Sequence, residues 1–409
     1  MKSELLRQYA KLIAVTGGGI VPGQSVVLRA GLDQPEFVLM LAEECYAAGA
    51  GEVEVEWEYQ PMERLKNESE SVETLGTVKL WQEQKLRYRA DTLPVMLYLE
   101  SADPDGLAGI DQLKRAEAQR RRYAVTKPIS DEMENRYQWC IAAVPGVEWA
   151  RKVFPGLGDA EAVEKLWEAI LSCSRALEGD PAENWRRHNA FLQDRCAKLN
   201  AMGLVSLEYR ASNGTELTVG LIPEAMFLGG SETNPVNNAV YNPNIPSEEV
   251  YITPRAGEAE GIVYATRPLA YRGQLIDGFW LRFEHGRVVD CGANRNEEAL
   301  RALLDMDEGS RMLGECALVP YDSPIRNSGV MFYNTLFDEN AACHLALGRG
   351  YTSNIRNYGS YSLDELRAMG VNDSMVHEDF MIGCADLSVT GITAGGERIA
   401  IFADGGWAF

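Results

Sequence analysis

The chain has 409 residues, 46% of them apolar and 24% charged. That composition suits two or three packed domains and excludes collagen-like, low-complexity and disulfide-scaffold classes. Sixty Asp and Glu against 39 Lys and Arg leave a net charge of −21, a field that repels phosphate backbones and anionic bilayers. Nucleic acid and membrane are therefore not expected as partners, and no run reaches the roughly 18 apolar residues of a spanning helix.

The opening segment, MKSELLRQYAKLIAV, interleaves charged and apolar residues and lacks the apolar core of a secretory signal. Eight cysteines without a Cys-x-x-Cys pair read as reduced thiols, and a cytoplasmic location is expected. A helical period over residues 3–14 places Leu5, Leu6, Tyr9, Leu12 and Ile13 on one stripe. The glycines at 17–19 and 23 match neither phosphate-binding fingerprint and read as a tight turn. Residues 25–28 predict a strand and 34–48 a helix. Val53, Val55 and Trp57 alternate with Glu52, Glu54, Glu56 and Glu58 in a one-sided strand whose glutamates are expected to form a solvated edge. A polar helix over 72–89, a strand over 95–99, a helix over 107–122 and a strand over 139–144 follow. Two helices, 159–177 and 182–200, close an N-terminal α/β domain, residues 1–202, with a parallel or mixed sheet.

Near residue 203 the texture changes. Ser206–Arg210 and Leu217–Leu221 flank Asn213-Gly214, a hairpin signal. Short β-rich runs then dominate, with one helix near 296–305. Residues 203–409 are thus expected to form a mostly antiparallel α+β catalytic domain.

Only four histidines occur. His188 and His285 read as surface or packing residues. His377 opens His377-Glu378-Asp379, and in an extended segment the first and third side chains share a face. Glu315 sits in Leu313-Gly314-Glu315-Cys316-Ala317-Leu318-Val319, where a lone buried acid is costly unless paired or metal-bound. The pair Glu248-Glu249 precedes another strand, and Glu339 and His344 share a third segment. Four carboxylates and two imidazoles suit two divalent ions about 3.5–4 Å apart. A mixed N/O set favours Zn, Co or Mn.

The segments NPNIPSEEVYITP (242–254), LGECALV (313–319), TLFDENAACHLALGRGY (335–351) and SMVHEDFMIG (374–383) resemble the aminopeptidase T / aminopeptidase S family of bacterial metallo-aminopeptidases, also called the thermophilic aminopeptidase family. Trp139, Pro145 and Trp149 extend the resemblance, in weaker form, into the first half. It implies the metal ligands Glu249, Glu315, Glu339, His344, His377 and Asp379, an active-site tyrosine at Tyr351, a cytosolic enzyme and a homodimer. The implied reaction releases N-terminal residues from peptides with a free N-terminus, using a water activated by two ions. Tyr351 would donate a hydrogen bond to the developing oxyanion. Glu248 is the candidate general base, provided its segment is not a regular strand; Glu378 meets the same objection. Two alternatives stand beside this reading. One is a di-metal amidase or carboxypeptidase using Arg255, Arg267 or Arg349 for a substrate carboxylate. The other is a non-catalytic protein that binds a metal and a ligand.

Overall fold

A computed structural model describes residues 3–409. The chain divides into two compact units. The first comprises residues up to His188 together with Ser231–Ser247; the second comprises Asn189–Gly230 and Glu248–Phe409. The sequence reading places one cut after residue 202. The division found here is discontinuous, because residues 231–247 return to the first unit.

The first unit is built on a five-stranded parallel sheet: β1 (Ser25–Gly31), β2 (Glu52–Glu58), β3 (Val95–Glu100), β4 (Trp139–Ala143) and the short strand Asn244–Ile245. Their order in space is β2, β1, β3, β4, Asn244–Ile245. β1 and β3 are central, and Val26, Val27, Leu28, Val95, Met96 and Leu97 are all buried. Continuous apolar runs of this kind are what a sheet covered on both faces demands. Helices Ser3–Leu12 and Asp159–Cys173 contribute Tyr9 and Trp167, which meet Phe37 of helix Pro35–Ala47 at ring separations of 5.8 and 5.5 Å and each other at 6.2 Å.

β2 lies at the sheet edge with Glu52, Glu54 and Glu58 exposed, as expected, and three of its glutamates are also ion-paired. Glu54 meets Lys85 at 2.9 Å, Glu56 meets Lys85 and Arg89, and Glu58 accepts a 2.6 Å hydrogen bond from Arg29. The single helix expected over 72–89 is two, Val72–Gly76 and Leu80–Thr92, and Gln60–Ser69 precedes them. The helix expected over 107–122 spans Gln112–Met133 and runs through Pro128. Its buried residues, Ala116, Ala118, Ile129 and Met133, are too sparse to give a clear helical period.

Among the described residues, the second unit holds two main antiparallel sheets and a two-stranded pair, Leu269–Tyr271 with Gln274–Ile276. The larger has eight strands and contains the expected hairpin, Leu204–Arg210 paired with Glu216–Leu221. The smaller orders Val250–Ile252, Leu313–Leu318, His344–Gly348 and His377–Met381 side by side. Every residue of Leu313–Leu318 and of His344–Gly348 is buried. The helix expected near 296–305 is Glu297–Leu304. An α/β N-terminal half with a parallel sheet, followed by an antiparallel C-terminal half, is the predicted fold class.

Candidate metal centre

The small sheet sets the spacing of its polar side chains through register. Glu315 lies opposite Ala346 on the central strand, and Ala346 lies opposite Asp379. His344 lies opposite Ala317 on one side and Met381 on the other, while His377 lies opposite Gly348. Residues two apart on a strand share a face, so Glu315, His344, His377 and Asp379 surround the methyl group of Ala346. A larger side chain there would fill the space between them.

Two glycines make this close packing feasible. The register slips between Leu313 and Glu315, leaving Gly314 in a bulge. A Cβ on Gly314 would lie 2.3 Å from the Arg349 carbonyl oxygen. Gly348 ends the central strand at φ +101, and a Cβ there would come within 2.0 Å of the Val376 carbonyl oxygen.

Both imidazoles are oriented by backbone carbonyls. His377 Nδ1 lies 2.7 Å from the Arg349 oxygen and His344 Nδ1 lies 3.2 Å from the Ala342 oxygen. A carbonyl only accepts, so each Nδ1 carries the proton and each Nε2 faces the acids. His344 Nε2 is 3.2 Å from Glu249 Oε2; His377 Nε2 is 3.1 Å from Glu315 Oε2 and 3.5 Å from Asp379 Oδ1. Among the described residues, two groups of donor atoms gather within 4.8 Å of one another: Glu249, Glu315 and His344, and Glu315, His377 and Asp379. Glu339, in the turn before His344, has a buried carboxyl group that accepts a 3.3 Å bond from Asn340 Nδ2.

The electrostatics are those of crowded, desolvated acids. Burial pushes Glu315 up to about 7; the neighbouring Asp379 and Glu249 add to the rise, and His377 opposes it. Glu339 is driven well above the carboxylate range by burial, then by Asp379 and Glu249. Burial pulls both histidines down, but the acids outweigh it. His344 rises to about 10, chiefly through Glu249, and His377 goes well above its ordinary value through Asp379 and Glu315. Burial raises Asp379, yet His377 holds it below the usual range.

Asp379 Oδ1 is buried without a hydrogen-bond partner. An orphaned carboxylate oxygen among three other acids and two oriented Nε2 atoms fits divalent cations, whose charge such a cluster needs. Neither donor group includes a cysteine.

Glu248 and Glu249 are both buried in the irregular segment before Val250–Ile252, so the condition for convergence of their side chains is met. The Glu248 backbone N–H donates to Asn340 Oδ1 at 2.7 Å. Glu378 lies within the regular strand His377–Met381, where alternation turns it to the other face. Tyr351 is 37% exposed, yet its hydroxyl sits 3.0 Å from His377 Nε2. Desolvation of that hydroxyl, then the charge of Glu315, Asp379 and Glu249, holds the phenol well above its ordinary value.

His188 is a packing residue, bonded through Nε2 to the Ser247 carbonyl at 2.7 Å and set edge-on to Trp185. His285 has a side chain 96% exposed. Of the arginines considered for a substrate carboxylate, Arg255 is paired with Glu258 at 3.0 Å, Arg267 lies 3.7 Å from Asp338, and Arg349 contributes its backbone to orienting His377.

Sequence reasoning overlooked Ala346, Asn340 and Thr253. Ala346 carried a usable signal, a small residue two positions after His344. Asn340 and Thr253 did not, because their partners are 92 and 98 residues away.

A buried carboxylate–imidazole cluster of this kind suits divalent cations. The family described as "Thermophilic metalloprotease (M29)" matches residues 2–407. Aminopeptidase 2 of Geobacillus stearothermophilus is 41% identical over 405 residues, covering 99% of this chain and 98% of its own. Aminopeptidase AmpS of Bacillus subtilis is 37% identical over 408 residues, covering 100% and 99%. The structure of wild-type AmpT from Thermus thermophilus superposes with a TM-score of 0.89 at 36% identity, over 99% of both chains. The chain belongs to the M29 thermophilic metalloprotease family, and it is a divalent-metal-dependent peptide hydrolase. The resemblance seen in its motifs is thereby borne out.

Proposed function

We propose that this metalloprotease is an aminopeptidase whose centre takes two divalent ions, Zn, Co or Mn, on Glu249, Glu315, Glu339, His344, His377 and Asp379. One observation carries the two-ion reading: Glu315 belongs to both donor groups, as a bridging carboxylate must. Bound there, the ions supply Lewis acidity and bring the pKa of a water toward neutrality.

The chain's own residues do the rest. Tyr351 directs its hydroxyl at the face where the scissile carbonyl gains negative charge, and donates to that oxygen as the charge develops. Glu248, buried beside Glu249, accepts the proton of the attacking water. The acidic surroundings hold the free α-amino group of the peptide and so confine attack to the first bond. That the relatives are named aminopeptidases supports this substrate class. The eight free cysteines support a reducing, cytoplasmic location, and the family resemblance supports a homodimer, which light scattering would test.

The deciding experiment is turnover of an aminoacyl chromogenic amide against its N-acetylated counterpart. The free amide is turned over, activity vanishes on chelation, and Zn, Co or Mn restores it. Equal turnover of the acetylated amide, or full activity in metal-stripped protein, overturns the proposal.

A further inference from the structure

Tyr351 follows the central strand of the small sheet by three residues, in a segment without regular ladder bonds. Its position is fixed from another part of the chain. The Tyr351 N–H donates to Thr253 Oγ1 at 2.8 Å, and that hydroxyl lies 3.1 Å from the Tyr351 carbonyl oxygen and 3.1 Å from Asn354 Oδ1. The Tyr351 carbonyl also accepts the Asn354 N–H at 3.3 Å, so the single Thr253 hydroxyl hydrogen can go to either the Tyr351 carbonyl or Asn354 Oδ1. Asn354 is held in turn, donating to the Met226 carbonyl at 2.9 Å. Thr253 and Asn354 are both 0% exposed.

The contact is steric as well as polar. A Cβ on Gly350 would lie 2.7 Å from the Thr253 methyl carbon, so the backbone before Tyr351 rests against Thr253. The ring of Tyr351 packs at 5.4 Å against Tyr251, two residues upstream of Thr253. Residues 249–253 thus carry a carboxylate of the centre, a ring against Tyr351 and the hydroxyl that holds its backbone.

We propose that Thr253 is a positioning residue, whose hydroxyl fixes the Tyr351 backbone so that the phenol stays aimed at the metal centre beside His377. The inference rests on the reading of Tyr351 as the oxyanion donor. Thr253 touches neither substrate nor ions; it acts through Tyr351. Loss of its hydroxyl should therefore act on the step in which the phenol acts, and on nothing else.

The test is a double-mutant cycle on metal-loaded protein, with kcat, KM, metal content and Tm measured together. Thr253→Val keeps the shape and removes the hydroxyl. It should lower kcat about tenfold or more, with KM and metal content unchanged, while Thr253→Ser stays within about threefold of wild type. In a Tyr351→Phe background, Thr253→Val should change kcat by less than about twofold, because the group it positions is already gone. If Thr253→Val fails to fold, Thr253→Ala enters the same cycle. Equal losses in both backgrounds, or an unchanged kcat in Thr253→Val, overturn the positioning role while leaving Tyr351 as donor. An unchanged kcat in Tyr351→Phe overturns that reading, and the positioning role with it.

Discussion

Tyr351 is part open to solvent, yet its hydroxyl meets His377 Nε2, and burial of that hydroxyl, then three nearby acids, raise its pKa. Tyr351→Phe leaves the ring packing on Tyr251 and removes one hydrogen bond. It should cut kcat by roughly 10²–10³ with little change in KM or metal content, the mark of an interaction made in the transition state. Steady-state kinetics with metal quantified in the same preparation check this; a near-normal kcat leaves Tyr351 a packing residue. Glu315 was legible in the sequence for a related reason, since an acid within an apolar strand breaks the pattern around it. Thr253 was not, because a threonine after Val250, Tyr251 and Ile252 conforms to its surroundings.

Among elements, the small sheet is the part that gathers the proposed ligands. Glu315, His344, His377 and Asp379 are spaced by strand separation and register, and the row Glu315–Ala346–Asp379 leaves one methyl between two acids. Ala346→Leu should therefore fill the space the ions need. Plasma mass spectrometry should find the metal lost, while circular dichroism finds a folded protein; full metal content in this variant would show that Ala346 does not face the centre. The His-x-Asp spacing was readable, because alternation alone puts His377 and Asp379 on one face. The bulge at Gly314 was not, since nothing local distinguishes a glycine that bends a strand from one that ends it. The helix Gln112–Met133 outruns the expected 107–122 because its sparse buried residues give no clear period, and it continues through Pro128.

For the whole molecule, the buried acids make metal a stabilising ligand as well as a reagent. Each ion present at about 100 times its Kd adds about 2.7 kcal/mol to the folded state. Calorimetry of metal-stripped protein should show Tm rising with added Zn. His344→Ala should abolish that rise, whereas His285→Ala, at a side chain 96% exposed, should keep it. A Tm indifferent to metal in the wild type would sink the picture of an acid cluster that needs cations. The two-part architecture was visible as a change of texture near residue 203. The return of residues 231–247 was not, because that stretch is rich in Asn and Pro and its strand is two residues long.

That return bears on the order in which the protein is made. The carbonyls of Thr16 and Gly17 accept the N–H of Asn242, and Ile141 and Ala142 pair with Asn244 and Ile245. A ribosome that has released residues 1–202 has therefore not yet delivered the fifth strand of the parallel sheet. The N-terminal unit stays one strand short until residue 245 has emerged, and β4 meanwhile presents an unpaired edge, the surface on which a nascent chain most readily mispairs. Truncation near the change of texture would preserve that unfinished state permanently.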